Sequence, residues 1–293
     1  MVFSSGPVNT TELAQFSNEY QLEWLSQPTV ECLIKKEFSL DKVDGLHEFV
    51  TRLDQELLNH PVIGFNEYCN WFRQGEMSPS VVKEFIVQFS VFSNLSLTAQ
   101  LQKMLNAETI ATVRASTEIL AYEVGAIIVG DSNGDSNGDA EGEEKGTHYE
   151  WLLKMGESLG LSFTDMGKRH HGSVSTLFFC DELARLYGDS NCLTATAASY
   201  AIDSWAAAGY WDHLIEGLVK FREKNDVRGL PLVSFTSHSE FERNHAKQAR
   251  QELEGFYFTH EVNEDAFIIR ANEMLDGVEA FWDGLDQHRK ALH

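Results

Sequence analysis

The chain has 293 residues, 43% of them apolar, enough to bury a sizeable core without disulfide or metal staples. Its 45 Asp and Glu outnumber 23 Lys and Arg, and the formal net charge of −22 excludes a nucleic-acid backbone or an anionic lipid surface as a natural partner. The 4 cysteines, Cys32, Cys69, Cys180 and Cys192, form no CxxC pair, so neither a disulfide scaffold nor a zinc knuckle is expected.

Residues 1–40 are weakly periodic and are expected to form an extension packed on a body spanning 41–293. Met1 to Thr11 lack a basic region followed by an apolar one, and the longest apolar stretch, Val124 to Val129, is too short to span a bilayer. A soluble, cytoplasmic protein with no membrane partner is therefore expected. After about residue 40, apolar residues recur at helical rather than alternating spacing, which predicts an all-α fold. The pattern places helices over 43–59, 62–74, 79–104, 107–124, 148–159, 174–187, 193–209, 211–224, 237–254 and 263–289. Ser78-Pro79 supplies a cap and a first-turn proline, and Asp41 precedes the run from Val43 to Leu57.

One segment, 130–147, breaks the pattern. It opens Gly130-Asp131-Ser132-Asn133-Gly134-Asp135-Ser136 and runs into Glu141, Glu143 and Glu144, which is too polar and glycine-rich to pack. A mobile acidic loop is expected there. It departs from a calcium loop, because Ser136 stands where the turn glycine belongs and Gly142 where the bidentate Glu belongs. The short basic run Lys168-Arg169-His170-His171 reads as a solvated turn.

The most informative stretch is Ser237 to His245, in which His238, Glu242 and His245 follow H-x3-E-x2-H spacing. Offsets of four and seven put all three on one helix face. Two imidazoles and a carboxylate supply nitrogen and oxygen ligands suited to non-haem iron or manganese, while the same spacing also describes an ordinary polar helix face. Upstream, Glu123 stands among apolar neighbours at the end of one predicted helix, and His148 opens the next. Asp203 lies in Ala197-Ala198-Ser199-Tyr200-Ala201-Ile202-Asp203-Ser204-Trp205, where an unpartnered carboxylate would be costly. Three helices supplying carboxylates and histidines to one interior site is how helical bundles build di-iron centres; a satisfied buried polar group is the alternative for each residue taken singly.

The ordered set Glu123, His148, Asp203 and His238-x3-Glu242-x2-His245, with His60-Pro61 and Tyr68-Cys69-Asn70-Trp71 on the early helices, resembles the haem-oxygenase-like di-iron oxidases, relatives of the TenA or thiaminase-type and CADD-like proteins. The resemblance runs from about residue 58 to about residue 255. It implies a haem-oxygenase-like bundle of about seven helices in which Glu123, His148, Asp203, His238, Glu242 and His245 hold two Fe(II) ions, with manganese as the alternative metal. Two departures stand out. Residues 124–147 separate Glu123 from His148, where relatives have a few residues, and Asp203 and Glu242 exchange Glu for Asp relative to the usual pattern. Should the register across 124–147 differ, Glu118 takes the place of Glu123.

The resemblance further implies an enzyme with O2 as co-substrate that oxidises a small amine, amino acid or carboxylic acid by N-oxygenation, desaturation or oxidative carbon–carbon cleavage. An external electron donor and a homodimer are compatible with it. Phe89, Phe92, Tyr122, Phe178, Phe179, Tyr200 and Trp205 fall on helices near such a site and could wall a pocket, with Ser93, Thr176 and Arg243 as polar contacts for substrate. Aromatic residues at helical spacing also describe plain core. In one branch of the resemblance a tyrosine is its own substrate, and Tyr68 stands at that position. A metal-free thiaminase-type hydrolase would need Cys69 or Cys180 as nucleophile. A non-catalytic ligand carrier is the third reading.

Overall fold

Helix boundaries in the computed structural model follow from capping chemistry. It describes residues 8–125 and 147–291; the side chains of Ala111 and of 238–244 lie outside the described set. The acidic segment, apart from Thr147, therefore lies outside the described residues. Ser78 accepts from the Val81 N–H and opens α6 (Pro79–Leu105) with Pro79 in its first turn. Thr109 caps α7 (Ile110–Glu123), Ser173 caps α9 (Val174–Tyr187), and Asn191 caps α10 (Cys192–Ala206). Thr147 and Glu150 form a reciprocal capping box that starts α8 (His148–Ser158). The remaining helices are α1 (Thr10–Tyr20), α2 (Gln27–Ile34), α3 (Val43–Leu58), α4 (Pro61–Gly64), α5 (Glu67–Phe72), α11 (Tyr210–Lys224), α12 (Val233–Thr259) and α13 (Glu264–Ala291).

No strand occurs among the described residues, as the periodicity predicts. Two boundaries differ from expectation. The single helix over 62–74 is two, because Phe65 adopts an extended conformation and Asn66 turns its side chain to the Cys69 N–H, capping a fresh start. α12 extends further at both ends than 237–254, since Phe235 and Phe258 bury beyond the polar stretch that set the predicted limits.

α6 lies at the centre. Val82, Phe85, Ile86, Phe89 and Val91 are buried on several sides of it, as expected of a helix enclosed by neighbours, and it packs against α7, α8 and α9. α13 packs on α9 and α10, and α10 packs on α12. The small side chains Ala197, Ala198 and Ala201 on α10 are buried and permit this close approach. An aromatic cluster fills the interior, with Phe72 and Phe85 ring centres 5.0 Å apart, Phe89 and Phe235 5.4 Å apart, and Tyr68 packed between Trp71 and Trp282. Rings of this kind bring large burial and about 0.5–1.5 kcal/mol per well-set pair. No helix among the described residues is long and apolar enough to cross a membrane.

One buried carboxylate joins the buried Leu22, Leu25, Val30 and Leu33 in attaching the N-terminal segment. Glu254 on α12 is 0% exposed and accepts from the Ser26 N–H at 3.1 Å, the Ser26 hydroxyl at 2.6 Å and the Thr29 hydroxyl at 2.7 Å. It thus caps the start of α2, whose own Ser26 side chain makes no cap bond. Gly217 of α11 lies against the Phe72 carbonyl that ends α5, with no room for a Cβ. Gly217→Ala is expected to cost about 1–3 kcal/mol in urea unfolding. The control Gly255→Ala, at a helical position with nothing within 4 Å of the added carbon, is expected to be neutral or stabilising by up to about 1 kcal/mol.

Candidate metal centre

The site begins where two helices end. Glu123 is the last residue of α7, which stops because Gly125 takes a left-handed conformation at φ +70°. His148 is the first residue of α8, set there by the Thr147–Glu150 capping box. Both helices pack on α6, and they bring Glu123 Oε2 to 3.1 Å from His148 Nδ1. Tyr122 stands edge-on to the His148 ring at 4.2 Å, Trp151 lies against it at 5.2 Å, and the Tyr122 hydroxyl donates to the Ser237 carbonyl of α12 at 3.4 Å. The imidazole is therefore held from several sides.

A cavity of about 110 Å³ opens beside this pair, and Glu123, Asp203 of α10 and His245 of α12 all line it. Three of the residues singled out from sequence thus meet in one space from three helices, with His148 hydrogen-bonding distance from one of them. Phe89, Phe92, Trp205 and Trp211 supply apolar walls, and Ser93, Ser96 and Gln100 of α6 the polar ones.

A buried ammonium supports the carboxylate side. Lys103, 3% exposed, donates to Ser199 Oγ at 2.7 Å and to Glu252 Oε2 at 2.9 Å, and Ser199 Oγ donates to Asp203 Oδ2 at 3.4 Å. The positive charge is carried to Asp203 through one hydroxyl, which fixes the orientation of the carboxylate. Sequence reading missed Lys103 and Ser199. The signal was there in part, since Ser199 stands one turn before Asp203.

Of the pocket residues expected from sequence, Phe89, Phe92, Ser93 and Trp205 line the cavity, and Tyr122 touches the histidines instead. Thr176 and Tyr200 do not line it. Thr176 is engaged by Ser173 in the cap of α9, and the Tyr200 hydroxyl turns to Asp54 and Arg250 on another face of α10. Phe178 is exposed, and Phe179 packs on Phe92 and Phe281 behind the wall. His238, Glu242 and Arg243 have side chains outside the described residues, although α12 is helical through them. Glu118 is exposed, accepts from Gln248 and is absent from the cavity lining, so Glu123 is the carboxylate of α7 that faces His148. Tyr68 is buried in the aromatic cluster and does not line the cavity.

The donor set of two carboxylates and two imidazoles, with no thiolate lining the cavity, could hold a first-row cation such as iron or manganese. The 3.1 Å separation of Glu123 Oε2 and His148 Nδ1 matches the edge of an octahedron with bonds of about 2.1 Å, roughly 3 Å, as well as a hydrogen bond. Removing the ammonium tests the support. Lys103→Met is expected to cost about 3–5 kcal/mol by leaving Glu252 buried and uncompensated, and the double variant Lys103→Met with Glu252→Leu to recover most of the loss in the same unfolding measurement.

No protein-family profile and no curated protein matches the chain. Among solved structures it is similar to a TenA homolog from Pseudomonas syringae pv. tomato, with a TM-score of 0.61 and 10% identity, covering 80% of this chain and 93% of that one. It is also similar to a CADD-like protein of unknown function from Nostoc punctiforme, with a TM-score of 0.59 and 17% identity over 83% of this chain and 98% of that one. A domain of unknown function with a haem-oxygenase-like fold from Shewanella denitrificans matches with a TM-score of 0.56 and 14% identity, over 87% and 94% of the two chains. The chain has the all-α, haem-oxygenase-like fold that these proteins share.

Proposed function

We propose that the protein is a non-haem di-iron oxidoreductase that uses O2 to oxidise a small amine, amino acid or carboxylic acid. The observation that carries this reading is the convergence of Glu123, Asp203 and His245, from three helices, on one interior cavity with His148 3.1 Å from Glu123. Glu123, His148, Asp203 and His245 are four of the six proposed ligands. Positions 238 and 242 fall on the same face of the continuous α12 as His245, by offsets of seven and three residues, and are proposed as the other two. A bound iron pair supplies the dioxygen-activating redox chemistry that ordinary side chains lack. Iron is proposed over manganese on the resemblance, since the donor set suits both.

The chain's own residues would orient the substrate and keep water out. Phe89, Phe92, Trp205 and Trp211 make the cavity largely apolar, while Ser93, Ser96 and Gln100 give a small polar substrate hydrogen-bonding partners along α6. A volume of about 110 Å³ restricts that substrate to a small molecule. The hydrolase reading finds no activated nucleophile. Burial pushes the Cys180 thiol up to about 12, and burial likewise raises Cys69 well above the ordinary thiol range. Neither is ionised at neutral pH.

Oxygen uptake by the Fe(II)-loaded chain with a chemical reductant, across a panel of small amines and carboxylic acids, tests the proposal. At least one substrate is expected to stimulate uptake above an equal concentration of unbound iron. Glu123→Ala and His245→Ala are expected to lower the stimulated rate by about 100-fold or more with helical circular dichroism retained, and Cys180→Ser to leave it unchanged. Uptake equal to the unbound-iron control for every substrate, or activity surviving both ligand variants, would overturn it.

A further inference from the structure

A second cavity, of about 490 Å³, opens where the α6–α7 connection, the start of α10 and the end of α12 meet. Three ligand-type side chains stand at it: Glu108 in the connection, Cys192 as the first residue of α10, and His260 capping α12. Their ligand atoms all lie within 4.8 Å of one another. None belongs to the set proposed for the first site.

Hydrogen bonding fixes the tautomer of His260. Its Nδ1 lies 3.1 Å from the Phe256 carbonyl and 2.8 Å from the Thr259 hydroxyl oxygen, and that hydroxyl spends its own proton on the Gly255 carbonyl at 2.8 Å. Both neighbours of Nδ1 are therefore acceptors, so Nδ1 carries a proton. Nε2 then faces the Glu108 carboxylate at 3.4 Å. A lone pair and a carboxylate oxygen at that distance repel unless a cation or a second ring proton stands between them. A backbone carbonyl on one ring nitrogen with the other aimed at a carboxylate and a thiol is the arrangement that orients metal-binding histidines.

The other cluster of this kind among the described residues, His60 with Asp276 and Glu279, lacks this feature. There the Val62 N–H donates to His60 Nδ1 at 3.3 Å, so Nε2 carries the ring proton and donates to Asp276 at 3.2 Å. That ring has no lone pair left for a cation.

We propose that Glu108, Cys192 and His260 bind a divalent cation of the zinc class at the second cavity. One sulfur, one nitrogen and one oxygen ligand suit a borderline-soft ion, and three protein ligands leave a position open to water or an anion from the cavity. Tetrahedral bonds of about 2.0–2.3 Å hold ligand atoms roughly 3.3–3.8 Å apart, so closure asks for a shift of about 1 Å. Glu108, whose side chain is 53% exposed, can make it by rotation. The protons balance simply. A cysteine thiol is protonated at neutral pH and must ionise to ligate a cation. One proton per bound ion therefore leaves to solvent.

Titration of the full chain with Co(II), followed by displacement with Zn(II), reads the site directly. The expected result is one thiolate-to-cobalt charge-transfer band in the near ultraviolet, with the full intensity of one thiolate-bound ion per chain and lost on adding zinc. About one proton is released per zinc in weak buffer at pH 7. Cys192→Ser is expected to abolish the band and His260→Ala to weaken the cobalt binding that the band reads by about 100-fold, while Cys180→Ser, at a thiol outside both ligand sets, leaves the band unchanged. If His260→Ala does not fold, Glu108→Ala on the exposed connection is expected to weaken binding about 10-fold. No thiolate band in the wild-type chain, or a band that persists in Cys192→Ser, would overturn the proposal. So would zinc binding without proton release, which would show that the Cys192 thiol is not a ligand.

Discussion

Burying ionic groups inside an apolar helical bundle is the constraint on which the rest of this structure depends. An isolated carboxylate or ammonium in such an interior loses several kcal/mol of hydration, so it must be matched by donors or counter-charges in good geometry. Glu254 is matched by Ser26, Thr29 and Arg250, and Glu252 by Lys103. Asp203 receives the Ser199 hydroxyl, and Glu123 lies against His148. These matches tie distant parts of the chain together. Glu254 joins α12 to the N-terminal helices, and Lys103 joins α6 to α10 and α12.

The candidate site arises from the same economy of ends and faces. Glu123 and His148 come from the end of one helix and the start of another, each placed there by a local device, the left-handed Gly125 and the Thr147 capping box, and the packing of both helices on α6 brings them together. Asp203 and His245, by contrast, project from helix interiors whose positions depend on the close packing of α10 against α12 and α13. Small residues on α10 allow that packing, and large aromatic side chains on α6 and α11 close the cavity from the other side. The result is a small space lined by both ionisable groups and aromatic rings, a combination that suits chemistry on a small polar molecule.

Much of this was legible in the sequence because it depends on local rules. Ser78-Pro79 announced α6, the periodic run from His148 announced α8, and Asp203 in an alanine-rich run announced a buried carboxylate. The all-α class followed from periodicity, and the resemblance pointed to the haem-oxygenase-like fold. What local rules cannot say is which neighbour a helix face meets. Tyr200 stands one turn from Asp203 yet reaches Asp54, and Thr176 is bound to the Ser173 cap of its own helix rather than lining the cavity. The Lys103–Glu252 pair, 149 positions apart, and the cluster of Glu108, Cys192 and His260 have no spacing signature at all. The split at Phe65–Asn66 escaped because an apolar period runs straight through it, while the Asn66 side chain claims the next N–H.

The most direct measurement is a crystal structure of the chain loaded anaerobically with Fe(II), with anomalous differences recorded on both sides of the iron edge. Two iron peaks, about 3.5–4 Å apart in the cavity bounded by Glu123, His148, Asp203 and His245, are the result that a di-iron oxidase predicts. An empty cavity at full iron loading, or iron found only beside Glu108, Cys192 and His260, would contradict it.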